Sequence, residues 1–212
     1  MNFKKYPIFI IIILLIPIIC TSCREVSKDD IIEDIKKFNG NLLNYQCETH
    51  ITHFGFEPAI SFKLREIYIA PNILKIETIN SDNHNGNTIL LRDGNLILKN
   101  PGINDEIQIP KAQLEDMMFW KFLLINRLKN LESASNLFNM SIEYVNNKKH
   151  IILEVPVKAP EFLMEHERIY LDAKNPYPNR VEMRTKEGNL YVSIEYKEVS
   201  LNKKIELNEL DL

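Results

Sequence analysis

Glycine is scarce: six residues in 212, scattered along the chain. That excludes a Gly-rich loop able to cradle phosphates, and no Walker A, Gly-x-Ser-x-Gly or His-Glu-x-x-His pattern occurs. Cysteine is almost as rare, with Cys20, Cys23 and Cys47 the only three. A disulfide framework and a four-cysteine metal site are therefore excluded. There is one tryptophan, Trp120. Basic residues are not in excess, 26 against 29 acidic ones. A mildly acidic chain has nothing to offset phosphate repulsion, so nucleic acid is excluded as a partner.

What the chain does have begins at its start. Lys4 and Lys5 are followed by an almost unbroken apolar run, Ile8 to Ile19, and then by the small residues Thr21 and Ser22 before Cys23. This basic, apolar, small-residue order is a secretory signal. A cysteine at its end suggests a bacterial lipoprotein signal, with cleavage before Cys23 and acylation of its thiol. Cys20 stands where Leu, Ile or Val is usual. The alternative is an uncleaved signal anchor, because Tyr6–Cys23 is an uncharged stretch of 18 residues. Both readings place the rest of the chain outside the cytoplasm. We divide it into a signal peptide (1–22), a lipidated tether (23–26) and a single domain (27–212). Removing Met1–Ser22 leaves 190 residues at a net charge of −5, since only Lys4 and Lys5 are lost from the charged set. That is enough chain for one real core.

The domain opens with a helix. Ser27 is placed as N-cap, Asp29 and Asp30 favour the positive end of the helix dipole, and Ile31, Ile32, Ile35 and Phe38 repeat at helical spacing up to a stop at Asn39-Gly40. The period then changes to two. Leu43, Tyr45, Cys47, Thr49 and Ile51 alternate with polar residues, which predicts a strand with one buried face. Further strands are predicted at 59–70, 74–80, 87–92, 95–99 and 107–109, with Asp93-Gly94 as a hairpin turn. Lys111 to Phe138 lacks Gly and Pro and reads as helix in two pieces. Strands resume at 140–146, 150–155, 165–172, 180–185 and 189–199. About ten strands joined by short turns, with no βαβ unit, give an α+β fold. We expect a large curved antiparallel sheet with the N-terminal helix and the central helical insertion on its concave face.

Candidate chemistry is sparse. His50 and His53 are three apart on a strand and point to opposite faces, which does not suit shared metal ligation. Cys47, on an inward phase, reads as an inert small hydrophobe. Asp29-Asp30 and Glu115-Asp116 sit near helix starts, where carboxylates are ordinary. We expect no catalytic residue, metal or cofactor. One feature stands out. Met117 to Ile125 is apolar except at Lys121, too broad for the stripe of an amphipathic helix. It predicts a helix plugging the mouth of the curved sheet, or a contact site for a lipid or protein formed by Met118, Phe119, Trp120 and Phe122; the two can coexist. Phe162, Leu163 and Met164 form a second apolar cluster that reads as exposed.

Several segments carry a resemblance. Ile67–Glu77, with Ala70-Pro71 between two strands, resembles the strand–Pro–strand unit of the LolA/LolB-like lipoprotein carrier fold. Thr88–Leu98 is similar to the hairpin that follows there, and Ile169–Asp172 with Pro176–Arg180 is similar to the later strand pair. The resemblance covers most of residues 27–200. It implies an incomplete β-barrel whose helices lid an apolar cavity, in a family of carriers, stress sensors and binding scaffolds without enzymatic activity. Within that family the chain most resembles germination lipoproteins of the GerS type. That resemblance implies a partner, an N-acetylmuramoyl-L-alanine amidase of the CwlD type, activated so that spore-cortex peptidoglycan acquires muramic-δ-lactam. It also implies a place on the outer face of the membrane, in sporulating cells the forespore envelope. The alternative is a carrier or acceptor of lipid or lipoprotein acyl chains. Homo-oligomerisation is left open.

Overall fold

The computed structural model describes residues 26–79, 86–100, 106–110, 118–134, 137–145, 147–157, 164–172, 175–206 and 210. Helix α1 spans Lys28–Asn41. Its start is the one the sequence predicts. Ser27 Oγ accepts from the Asp30 N–H at 3.2 Å while the Asp30 carboxylate accepts from the Ser27 N–H at 3.0 Å, a reciprocal capping box. The helix ends one residue past the predicted stop at Asn39-Gly40. The helix runs through Gly40 and ends at Asn41, with extended Leu42 as its C-cap.

Eleven strands follow: β1 Asn44–His53, β2 Ile60–Ile69, β3 Ile73–Ile79, β4 Thr88–Arg92, β5 Asn95–Lys99, β6 Glu106–Pro110, β7 Asn139–Val145, β8 Lys148–Pro156, β9 Met164–Asp172, β10 Pro178–Thr185 and β11 Leu190–Leu201. They form one antiparallel sheet in the order β6-β5-β4-β3-β2-β1-β11-β10-β9-β8-β7. Every neighbour is a sequence neighbour except β1 and β11, which join the two halves in the middle. β6 and β7 remain as outer edges, so the sheet is curved but not closed, as expected. Asp93 (φ 51°) and Gly94 (φ 82°) both take the left-handed conformation that a tight hairpin between β4 and β5 needs.

A 3-10 helix, Met118–Phe122, and helix α2, Leu124–Ser133, are the described parts of the central insertion. Both pack with α1 on one face of the sheet. Alternation sorts each strand onto that face. Tyr45, Cys47, Thr49 and Ile51 of β1 are buried, and so are Leu64 and Tyr68 of β2. Leu43 breaks the predicted pattern. It lies before β1 begins and is exposed. Met164 is buried in the core, contrary to its reading as exposed, because β9 starts at that residue and turns it inward. Phe162 and Leu163 lie outside the described residues.

Candidate functional site

The apolar block acts as a plug. Leu123, Leu124 and Leu128 have no solvent exposure, and Phe122, Ile125 and Leu131 are nearly as deep. Each fully buried leucine contributes about 1.5–3 kcal/mol. The block is apolar on so many sides because a short helix lying in a trough touches protein on several sides.

The plug is also tied by polar groups that no motif announced. The N-terminus of α2 has no side-chain cap of its own. Glu66, on β2 and fully buried, supplies one from across the trough: its Oε2 accepts the Leu124 N–H at 3.1 Å. Tyr45 donates its hydroxyl to the same oxygen at 2.8 Å and accepts the Ile125 N–H at 3.2 Å. Thr49 donates to Glu66 Oε1. Tyr196, on β11, donates to the Phe122 carbonyl at 2.5 Å. Burial dominates this group. It raises the Glu66 carboxyl to about 7 despite three donors, and pushes the Tyr45 hydroxyl and the Cys47 thiol well up. Cys47 is thus the inert hydrophobe the sequence suggested, 3% exposed and a proton-holding thiol.

A second buried charge lies one turn along α2. Arg127 is 3% exposed and meets Glu167 of β9 at 2.6 Å. Burial pulls its guanidinium down, and the Glu167 carboxylate more than restores it. Both charges had a sequence signal. Glu66 stands in the inward phase of Leu64-Arg65-Glu66-Ile67-Tyr68, and Arg127 in the apolar phase of Leu124, Leu128 and Leu131. A charge in an apolar phase marks a buried pair or cap.

The plug leaves a cleft on each flank. One, about 240 Å³, is lined by Trp120, Ile125, Tyr68, Leu74 and Leu91. The other, about 490 Å³, runs between α2 and strands β8–β9, with Arg127, Leu131, Leu137, Val155 and Ile169 in its walls. The predicted contact residues therefore separate. Trp120 and Phe119 are half-buried and rim the plug. Phe122 is turned into the core, its ring 5.8 Å from the Arg127 guanidinium. Met118 opens the 3-10 helix, and its side chain lies outside the described residues, as does Cys23. His50 and His53 are far apart in environment: His50 faces Glu48 at 3.3 Å, and His53 packs between Phe56 and Tyr191. No group of three or more His, Cys, Asp or Glu side chains among the described residues is arranged to hold a metal ion.

The outer face of the sheet is a lattice of paired charges. Glu182 accepts from Arg180 and Arg184, each at 2.6 Å, and Arg168 bridges Glu143 and Glu154 at 2.6 and 3.2 Å.

A family model for YdcC-like sporulation proteins matches residues 3–210, nearly the whole chain. The chain belongs to that family. No curated protein is a significant match. Among solved structures, a chain of the Pseudomonas aeruginosa MucA/MucB complex is 10% identical, with 88% of this chain and 61% of that one covered and a TM-score of 0.52. A LolA superfamily protein from Nitrosomonas europaea is 10% identical, with 88% and 98% covered and a TM-score of 0.43. The structure of the CwlD amidase from Clostridioides difficile in complex with the GerS lipoprotein contains a chain 22% identical, with 82% and 96% covered and a TM-score of 0.40. At these identities the likeness is one of fold.

Proposed function

We propose that this YdcC-like chain is a lipid-anchored, non-enzymatic sporulation lipoprotein that binds and activates a CwlD-type amidase. It would serve muramic-δ-lactam formation in the spore cortex, and hence germination. The observation that carries the reading is the family match over residues 3–210 to sporulation proteins. The segment resemblance to GerS-type lipoproteins points the same way. The filled trough adds a physical reason. A carrier needs an empty groove along the axis of its half-pipe, whereas here Leu123, Leu124 and Leu128 occupy it without solvent exposure. A scaffold that presents a surface to an enzyme benefits from such rigidity.

The anchor is placed on Cys23, with the domain on the outer face of the membrane, in sporulating cells the forespore envelope. Tethering would concentrate the binding surface beside the envelope where the amidase works. Trp120 and Phe119, half-exposed on the rim of the plug, are the contact residues we favour.

The test is a pull-down from sporulating cells with the full chain as bait, together with muropeptide analysis of a deletion strain. Recovery of the amidase and loss of cortex lactam with spores still formed are expected. Normal lactam in the deletion strain defeats the reading.

A second reading, a carrier of acyl chains, is favoured by one observation. The 490 Å³ cleft beside α2 is within the size range of ligand pockets and has a largely aliphatic wall. Binding of a hydrophobic fluorescent probe, competed by lipid, would support it.

A further inference from the structure

Where the chain leaves the sheet decides which surface faces its anchor. Lys28, in the first turn of α1, donates from Nζ to the Phe138 carbonyl at 2.8 Å and sits 4.5 Å from the centre of the Phe138 ring. Phe138 leads directly into β7, the outer edge of this half of the sheet. One turn further, Ile31 shares a small pocket with Ile151, which pairs across the ladder with Ile142 of β7. The first turn of α1 is therefore moored to the β7–β8 edge. Cys23 precedes Val26 by three residues, and three residues reach at most about 11 Å. A lipid on Cys23 holds the start of α1, at the Phe138 end of this edge, within about that distance of the bilayer surface.

The side chains exposed there have the composition of an interfacial belt. Tyr144 is 74% exposed, Leu137 47% and Ile142 38%. Met140, Ile142 and Tyr144 share one face of β7, and Lys149 stands across from Tyr144. Lys148 and Lys149, both exposed, close the β7–β8 hairpin. A tyrosine and aliphatic groups belong at the headgroup level, and lysines snorkel to the phosphates. The opposite face of β7 carries Glu143, paired with Arg168, in line with the paired charges along the outer face of the sheet.

We propose that the β7–β8 edge rests in the lipid interface, with Tyr144 and Ile142 among the headgroups and Lys148 and Lys149 beside them. The proposal rests on acylation of Cys23, as given under the proposed function. Charge is not the driving term, because the exposed Asp29 and Glu33 of α1 offset the two lysines. The tether supplies the local concentration, so that weak apolar insertion suffices. The contact gives the domain one orientation on the membrane instead of free rotation about its tether.

The experiment uses the full chain purified from membranes in detergent and reconstituted into phosphatidylcholine vesicles containing nitroxide-labelled lipid. An environment-sensitive probe is placed on Tyr144→Cys, on Ile142→Cys as a second position, and on Lys186→Cys in the exposed β10–β11 hairpin as the reference. Cys47 is buried and does not compete for the label. We expect the lipid quencher to lower emission at 142 and 144 about twofold or more, as for groups inserted 5–10 Å into the interface, and to leave 186 unchanged. Flotation of the same samples reports the anchor. Protein that floats with 142 and 144 as bright as 186 overturns this proposal alone. Protein that does not float, or a Cys23→Ala chain that still floats, defeats the anchor and this proposal with it.

Discussion

Replacing Glu66 by glutamine should change the pH dependence of stability in a defined way. Burial carries this carboxyl from an ordinary 4.5 to about 7. The folded chain therefore holds a proton on Glu66 through a window in which the unfolded chain has released it. Because the folded value is the higher one, unfolding releases a proton between pH 4.5 and 7, and stability falls as pH rises through that window. The loss is complete above 7. At 1.36 kcal/mol per unit, a rise from 4.5 to about 7 amounts to about 3 kcal/mol. Glu66→Gln preserves the shape of the protonated side chain and cannot ionise. Near pH 4.5 the variant and the parent should agree within about 1 kcal/mol, one hydrogen bond's worth. At pH 8 the variant should have gained about 3 kcal/mol relative to the parent. Other titrating groups, His53 among them, are common to both chains and cancel in the difference. Urea unfolding followed by circular dichroism at intervals from pH 4.5 to 8 measures it. A difference that stays constant across the window would refute the argument, since it would mean that Glu66 is ionised throughout or that water reaches it.

Removing one partner of the other buried charge should cost more. Glu167→Ala leaves the Arg127 guanidinium, 3% exposed, without its carboxylate, for an expected loss of about 3–5 kcal/mol in denaturant unfolding. Adding Arg127→Met to that variant should recover most of the loss, and a double variant no better than Glu167→Ala would show that the pair is not the cause. Ser27→Ala removes the hydroxyl half of the α1 capping box and should cost about 1 kcal/mol, read as a lower urea midpoint at unchanged slope. Leu128→Ala, at the bottom of the trough with no solvent exposure, should cost about 2–5 kcal/mol and open space for the hydrophobic probe.

Much of the architecture could be read locally. The α1 cap at Ser27, the Asp93-Gly94 hairpin and the extent of β5, Asn95–Lys99, all follow from interactions within a few residues, where side-chain type and backbone geometry are tightly linked. The period-two burial of β1 was legible for the same reason: successive side chains on a strand must face opposite sides. Local reading failed at edges. Leu43 continues the apolar alternation but precedes the first pairing that would give it a buried side. Met164 followed an apolar loop in sequence, and only the pairing of β9 with β8 and β10 placed it inside.

The candidate site was legible as composition but not as geometry. The sequence by itself determined that residues 117–125 carry more apolar surface than one helix face can use, because hydrophobic patterning is a property of the string. It also determined the α+β order of elements, since that depends on runs and periods. Only the tertiary structure decided that Phe122, Leu123 and Leu124 fill the trough while Trp120 stays at its rim. Only it brought Glu66 from β2 to the N-terminus of α2, 58 residues away, and Arg127 to Glu167, 40 residues away. A buried charge is tolerated solely where a distant partner satisfies it, and such pairings depend on how the sheet curves, which no local pattern encodes.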